Sequence, residues 1–490
     1  MAKKKIIIVG SGIGGLSAGC FALMNGFDVT IFESHNKAGG LCTSWKRKGY
    51  TFDGSIHHLA GLSPDSKFGK LWEQLKVFPN PLFFYSEMVS VETPDGKALY
   101  ISHDLEKLEK YLKEISPEDK KVIDEYLSII NKIKKIDILE IGLWKIGDFI
   151  NNFFNFMQIT KFMKVGMKDF ADRFKNPFLK KTFRFIQYDW EDIPLPVHAN
   201  FMANCARKNY GWYMGGSMEF SNKIKNHFME LGGNIKYDSE VIKILADDDS
   251  VNGVRLKDGT EYNSDYVISN SYGYHTIFHL LGGKYISKKQ EDFYSQPSDE
   301  AKMGIHVSFG IKRDISKEPH AIIIFLDNEV KIADRTRERI SIELFGFDKT
   351  FAGDGKGVLK VIYDTSFSFW RNLYQDEKKY REEKNQVARK TLDLLEKRFP
   401  GITGQVEVID VATPITTQRY TFNAESYGSQ LKMSSKDLLD SLLSKPKTLP
   451  KLKNFYMVGQ SVGGSGIPGC ALMGRNAVRA ICKKEKIKFN

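Results

Sequence analysis

Residues 6–15 read IIIVGSGIGG, and this short stretch constrains the fold more than any other. The apolar run Ile6 to Val9 shows no alternation, as expected of a parallel strand covered on both faces. It runs directly into Gly10, Gly12 and Gly15, a G-x-G-x-x-G turn with Ser11, Ile13 and Gly14 between the glycines. Gly10 permits the tight turn, Gly12 lets backbone approach a pyrophosphate, and Gly15 lets the following helix pack closely on its strand. That helix offers unpaired N–H groups and a positive dipole end to the phosphates. It ends at Gly26, and a second apolar strand, Val29 to Phe32, leads into Glu33 and Ser34. A carboxylate there accepts the hydroxyls of an adenosine ribose and repels a 2′-phosphate. Strand, turn, helix, strand and carboxylate in this order predict an α/β dinucleotide-binding domain.

At 490 residues the chain exceeds what one core needs, so two or three interlocked domains are expected. No uncharged apolar run reaches the roughly 18 residues of a membrane span. The first ten residues are basic and then apolar, but cleavage after them would destroy the glycine turn, so a cytoplasmic location is expected. The five cysteines, Cys20, Cys42, Cys205, Cys470 and Cys482, form no C-x-x-C pair and have no histidine at metal spacing. Reduced, packed thiols and no metal are expected. The net charge of +12 comes without a helix-turn-helix, RRM or finger pattern, so nucleic acid is not an expected partner.

Further along, Tyr50 to Asp53 alternates like a strand, and a Gly-bounded loop carrying His57 and His58 follows. Residues 103–134 read as helical, with a second start at Ser116-Pro117-Glu118-Asp119. Residues 136–187 read as helices rich in Phe and Lys. Gly215-Gly216-Ser217-Met218 opens an amphipathic helix to Leu231, followed by strand pattern over 234–244, a hairpin from Val254 to Glu261 and a strand from Asp265 to Asn270. From about 300 to 415 strand patterns dominate, broken by a charged helix at 376–398. Phe455 to Val458 reads as a last strand, followed by a glycine-rich turn and a helix from Cys470 to Cys482.

Just beyond Glu33 stands Gly39-Gly40, with Leu41 next. Flavoproteins of the glutathione-reductase and amine-oxidase type carry such a glycine pair where backbone runs past the FAD pyrophosphate, so the block resembles an FAD site. FDGSIHH at 52–58, TPITTQRYTFNAESYGS at 413–429 and NFYMVGQSVGGSGIPGCALMGR at 454–475 extend the likeness. With them the chain resembles the phytoene desaturase, carotenoid isomerase and retinol saturase family within the amine-oxidase-like flavoproteins. The resemblance implies a glutathione-reductase-like Rossmann FAD domain built from non-contiguous segments, plus a mixed-sheet substrate domain with an inserted helical lid. The implied boundaries are 1–80, 210–285 and 436–490 for the FAD domain, 81–209 for the lid and 286–435 for the substrate sheet. It also implies that a strand at 239–244 passes the adenine with the backbone of Val241 bonding the ring edge. Gly459 and Gln460 would lie near the ribityl chain, and the helix beginning around Gly469, with Pro468 at its first position and Ile467 before it, would point its N-terminus at the flavin. A helix N-terminus suits the charge of reduced flavin.

The chemistry is less constrained. His57 and His58 fall where the family presents a loop to the flavin ring, and are read either as proton donor or acceptor or as hydrogen-bonded packing residues. Arg419 and Tyr420 either close the cavity near the flavin or tie loop to sheet. Asp189 and Glu191 are weaker acid candidates. Residues 138–187, with eight basic residues between 161 and 184 interleaved with Phe and Met, suggest either a lid covering its own core or a helix docking on an anionic membrane surface from the cytoplasmic side. The expected function is an FAD-dependent oxidoreductase acting on carbon–carbon double bonds of a lipophilic polyene or isoprenoid. The alternatives are an amine or porphyrinogen oxidase and a non-catalytic prenyl-binding protein resembling the Rab GDP-dissociation inhibitors. No second G-x-G-x-x-G follows a strand, so electrons are expected to pass through a soluble partner, quinone or oxygen.

Overall fold

The computed structural model describes residues 3–134, 136–160, 162–187, 193–294, 299–424, 443–464 and 466–490. Among these, the strand Lys5–Val9 is the centre of a five-stranded parallel sheet. Asp28–Phe32 and Asn234–Lys236 lie on one side of it, and Tyr266–Ser269 and Phe455–Met457 on the other. The sheet is covered on both faces, and Ile6, Ile7, Ile8 and Val9 are all buried, which is why the run does not alternate. Its strands come from the two ends and the middle of the chain, as expected for a Rossmann-type domain of non-contiguous segments. The first helix, Ile13–Met24, packs against the last, Gly466–Lys484, with backbone close to backbone: a Cβ on Gly474 would collide with the Gly14 carbonyl oxygen.

The strand pattern at 234–244 divides. Asn234–Lys236 completes the parallel sheet, whereas Val241–Asp247 joins Ser250–Leu256 and Glu261–Asn263 in a separate antiparallel sheet. The break is at Asp238, whose φ of 49° takes the chain out of extended conformation.

The second large sheet has seven strands and is mixed. Its order is Val406–Ala412, Glu300–Ile311, Gly357–Ser366, Arg335–Leu344, Ala321–Ile332, Glu87–Glu92 and Ala98–Ser102. Only Ala321–Ile332 and Glu87–Glu92 pair in parallel among these strands. The expected charged helix is Glu377–Arg398, capped by Asp376, with Val387, Leu394 and Leu395 packed into the core beside the sheet. Residues 87–102 therefore belong to the sheet, and the helical insertion begins at Leu105. Its helices include Leu105–Ile115, Lys120–Ile133, Ile146–Thr160 and Leu195–Ala206. The restart at Ser116 occurs, but the Ser116 hydroxyl donates to Asp119 at 2.7 Å instead of capping backbone.

The basic stretch after residue 161 folds inward. Met167, Phe170, Phe174, Phe183 and Phe185 are buried in one core with Tyr126, Ile130 and Met202. Lys164, Lys168, Arg173, Lys175, Lys180 and Lys181 stay on its solvated side. Over residues 167–185 this favours the lid on its own core, since these apolar side chains are already occupied. No helix among the described residues is long and apolar enough to cross a membrane. All five cysteines are buried and unpaired with one another. Asp189 and Glu191 lie outside the described residues.

Candidate functional site

The glycine turn forms as its spacing requires. Gly10 has φ +91°, and its N–H donates to the Phe32 carbonyl at 2.8 Å, closing the turn onto the second strand. A Cβ on Gly15 would collide with the Gly10 carbonyl oxygen. The helix that begins at Ile13 has no side-chain cap and no acidic residue in its first turn, so its N-terminal N–H groups and dipole are left for an anion. Gly39 donates its N–H to the Ser11 carbonyl at 2.9 Å, and Gly12 and Gly39 form a parallel bridge. A Cβ on Gly40 would stand 3.2 Å from the Gly12 Cα. The two glycine motifs thus lie backbone against backbone, with Leu41 half-buried beside them.

Glu33 is buried and tightly held. One carboxylate oxygen accepts from the Ser11 N–H at 2.8 Å and the Ser11 hydroxyl at 2.6 Å, and the other from the His35 N–H at 2.9 Å, with the Ser34 hydroxyl at 3.4 Å. Three close donors leave roughly one of the carboxylate's sites for a ribose hydroxyl. The segment before Val241 passes this point, the Ser239 N–H donating to the Glu33 carbonyl at 2.9 Å. Val241 itself opens its strand and is buried.

At the other end, Gly459 has φ +107° and precedes a short turn from Gln460 to Val462. The last helix begins at Gly466, so Ile467, Pro468 and Gly469 are its second to fourth residues and not its start. Pro468 costs nothing there, because the first four N–H groups of a helix have no internal partner. Asn270, read from the sequence only as the end of a strand, stands at the centre: Cβ atoms on Gly12, Gly14 and Gly459 would each come within 2.9 Å of its carboxamide. Its one sequence signal was its place directly after the Tyr266–Ser269 strand. An open helix N-terminus, two opposed glycine turns and a pinned carboxylate fit a dinucleotide such as FAD.

The FDGSIHH motif is organised by its aspartate. Asp53 is buried, and one oxygen accepts from the Ser55 and Ile56 N–H groups at 2.9 and 3.1 Å and from the Ser217 hydroxyl at 2.6 Å. Its other oxygen accepts from the Ser217 N–H at 2.7 Å, which explains Gly216: any Cβ there would collide with this carboxylate. Burial pushes the Asp53 carboxyl up, while Lys360 and Ser217 oppose the shift.

The loop so fixed delivers His57 to Glu343. His57 Nδ1 is in direct contact with one Glu343 oxygen, and Lys360 Nζ lies 2.8 Å from the other and donates to the Asp53 carbonyl at 3.2 Å. The Glu343 and Lys360 side chains are 2 % and 1 % exposed, whereas His57 keeps 22 %. The row therefore runs from the buried sheet to an accessible ring. Burial would raise the Glu343 carboxyl, but His57 and Lys360 hold it well below its ordinary value. Glu343 and Lys360 face each other directly on adjacent strands. The sequence reading missed both; the signal was a charge set between apolar neighbours, Ile342 and Leu344 around Glu343 and Leu359 and Val361 around Lys360.

His58 points into a cluster of rings, with Phe201 at 4.8 Å, Tyr85 at 4.9 Å and His320 at 5.9 Å between centroids. His103 and His320 each donate Nδ1–H to a backbone carbonyl, of Tyr85 and Leu344, leaving buried Nε2 atoms with no partner among the described residues. Burial takes His103 and His320 down to about 4 and His58 well below its ordinary value. Burial pushes the Cys205 thiol well up. Cys205 Sγ and ring nitrogens of His58 and His103 lie within 4.8 Å of one another. The lack of a histidine near a cysteine along the chain is thus reversed in space, because three distant segments meet here. At neutral pH these four groups are uncharged.

Arg419 and Tyr420 lie on the exposed side of the helix Pro414–Thr421. Arg419 donates to the Tyr420 hydroxyl at 3.1 Å, and the Tyr420 ring packs edge-on to His35 at 4.6 Å. Their contacts place them beside His35, next to Glu33, and not with the His57 loop.

The NAD(P)-binding Rossmann-like domain family matches residues 8–75. Prolycopene isomerase of Arabidopsis thaliana is 24% identical over 96% of this chain and 81% of its own length. The all-trans-retinol 13,14-reductase of Homo sapiens is 23% identical over 100% of this chain and 86% of its own. Among solved structures, an oxidoreductase from Methanosarcina mazei superposes with a TM-score of 0.59 at 18% identity, covering 97% of this chain and 100% of that one. A putrescine oxidase variant gives 0.60 at 13% identity, covering 98% and 99%. These last two likenesses concern the fold.

Proposed function

For this chain, which belongs to the phytoene desaturase, carotenoid isomerase and retinol saturase family of amine-oxidase-like flavoproteins, we propose a specific reaction. It is an FAD-dependent oxidoreductase that desaturates, saturates or isomerises carbon–carbon double bonds of a polyene or isoprenoid-type substrate. Bound FAD supplies a two-electron centre that accepts or returns hydride at its ring.

The observation that carries the reading is the contrast between two neighbouring groups of residues. The rings and thiol around His58 are buried and uncharged, surroundings that suit a lipophilic, uncharged molecule. A cationic amine would lose its hydration against these rings and thiol, and the buried Asp137 carboxylate beyond them is already engaged by Tyr210 and Asn200. The nearby Glu343 carboxylate already faces His57 and Lys360. His57 is the one residue of this charged row with substantial exposure. Glu343 at Nδ1 fixes the ring's orientation and tautomer, so Nε2 is where His57 holds or moves a proton. Lys360 and Asp53 act as positioning residues, one holding Glu343 and the other the loop.

Chromatography of the nucleotide released by heat, together with polyene turnover followed by absorbance, tests this reading. FAD in the released fraction and a shift in polyene absorbance are expected, and His57→Asn lowers turnover by about 10²–10⁴-fold with the flavin still bound. Purified protein that never holds flavin, or that oxidises amines and leaves polyenes unchanged, would overturn it.

A further inference from the structure

Three distant segments of the chain bring a thiol and two imidazoles to one point. Cys205 Sγ and a ring nitrogen each of His58 and His103 lie within 4.8 Å of one another. Cys205 comes from the helix Leu195–Ala206, His58 from the loop after Tyr50–Asp53, and His103 from the turn after Ala98–Ser102. Spacing along the chain therefore carries no sign of the group. Bonds of about 2.0–2.3 Å to one ion in a trigonal plane would hold such donors roughly 3.5–3.8 Å apart, so closing on the ion takes a shift of about 1 Å.

His103 is set up as a ligand. Its Nδ1 donates to the Tyr85 carbonyl at 3.1 Å, which fixes the ring and its tautomer. Nε2 is left with its lone pair, on a side chain 9 % exposed, and has no hydrogen-bond partner among the described residues. A buried acceptor left in this way costs free energy, and a metal ion would satisfy it. A backbone carbonyl on one ring nitrogen and an ion on the other is the common arrangement of a metal-binding histidine. Burial disfavours a bare thiolate at Cys205, and an ion that takes the proton's place removes that penalty. His58 is the half-buried member of the three, so an ion approaches from its side.

We propose that Cys205, His58 and His103 bind one Cu(I) ion in a trigonal site. One thiolate with two imidazoles is a soft donor set. A thiolate and Cu⁺ sum to zero charge, whereas Zn²⁺ would leave a net positive charge among buried rings. Zn²⁺ in a closed site also takes four ligands, and His320, whose Nε2 is likewise buried without a partner among the described residues, stands outside the group of three. Binding is a ligand exchange without redox change: the Cys205 thiol loses its proton to solvent, and Sγ and the two ring nitrogens bond to the ion. The neutral sum keeps the surroundings of His58 uncharged, so the inference goes beyond the reaction proposed above and does not depend on it.

Anaerobic titration of the full chain with Cu(I), in competition with a Cu(I)-selective chelator, tests it. Uptake of one equivalent is expected, with an ultraviolet thiolate-to-copper band and one sulfur and two nitrogen neighbours in X-ray absorption. Cys205→Ser and His103→Gln should each weaken uptake by more than the about 10–100-fold that loss of a supporting group outside the ligand set costs. X-ray absorption is read on the wild type, so it decides the ligand set even where a variant fails to fold. No uptake of Cu(I), uptake that Cys205→Ser retains, a copper without a sulfur neighbour, or preference for Zn²⁺ in direct competition would overturn the proposal.

Discussion

Glu343→Gln replaces a buried carboxylate with a neutral group of nearly the same shape and leaves Lys360 behind. The two side chains are 2 % and 1 % exposed and 2.8 Å apart, so water cannot take over the role of the lost charge. Removing one member of such a pair costs about 3–5 kcal/mol. Adding Lys360→Met removes the orphaned ammonium as well and should restore most of that loss, because replacing both charges of a buried pair is often close to neutral. Denaturant unfolding of the flavin-loaded protein at neutral pH measures both variants. Acid adds a second readout. The folded Glu343 carboxyl lies well below its ordinary 4.5, so its contribution is fully present above that value and is lost as pH falls through the lower folded value. Wild type should therefore lose stability on acidification by an increment that Glu343→Gln lacks. A Gln variant within about 1 kcal/mol of wild type, or a double variant no more stable than the single, would refute the buried coupling.

Three further outcomes are expected. Glu33→Gln exchanges an acceptor for a donor facing the Ser11 N–H and hydroxyl, and should weaken FAD binding to the apoprotein by about tenfold to a hundredfold in a fluorescence titration. Gly474→Ala places a Cβ against the Gly14 carbonyl oxygen, so thermal unfolding should shift downward and flavin should be lost with it. Burial pushes the Cys42 and Cys470 thiols up to about 12, so a disulfide reagent at neutral pH should label them only after denaturant is added.

The dinucleotide half of the site was legible because its parts are local. A tight turn needs glycine at fixed offsets, and a strand covered on both faces needs an unbroken apolar run, so Ile6 to Gly15 announces both. Gly39-Gly40 could be read for the same reason. The rest is assembled across the chain. Asp53 reaches Ser217, Glu343 meets Lys360 across a sheet register, and Cys205 meets His58 and His103, none of which local spacing can signal. Composition left two readings open over 138–187, because interleaved Phe and Lys look alike whether the aromatic side faces lipid or the protein's own core. Burial of Phe170, Phe174, Phe183 and Phe185 favours the core for the later part of that stretch. The last helix starts at Gly466, before Pro468, because proline is tolerated anywhere in the first turn and does not by itself mark the start.

Anaerobic exposure of the bound flavin to candidate substrates tests the proposed reaction most directly. With flavin photoreduced, a conjugated polyene should reoxidise it or emerge as a different isomer; with flavin oxidised, a more saturated isoprenoid should bleach it. In either form the His57→Asn variant should respond far more slowly at an unchanged flavin content. A flavin that responds to amines in either state, and to no polyene or isoprenoid, would contradict the account.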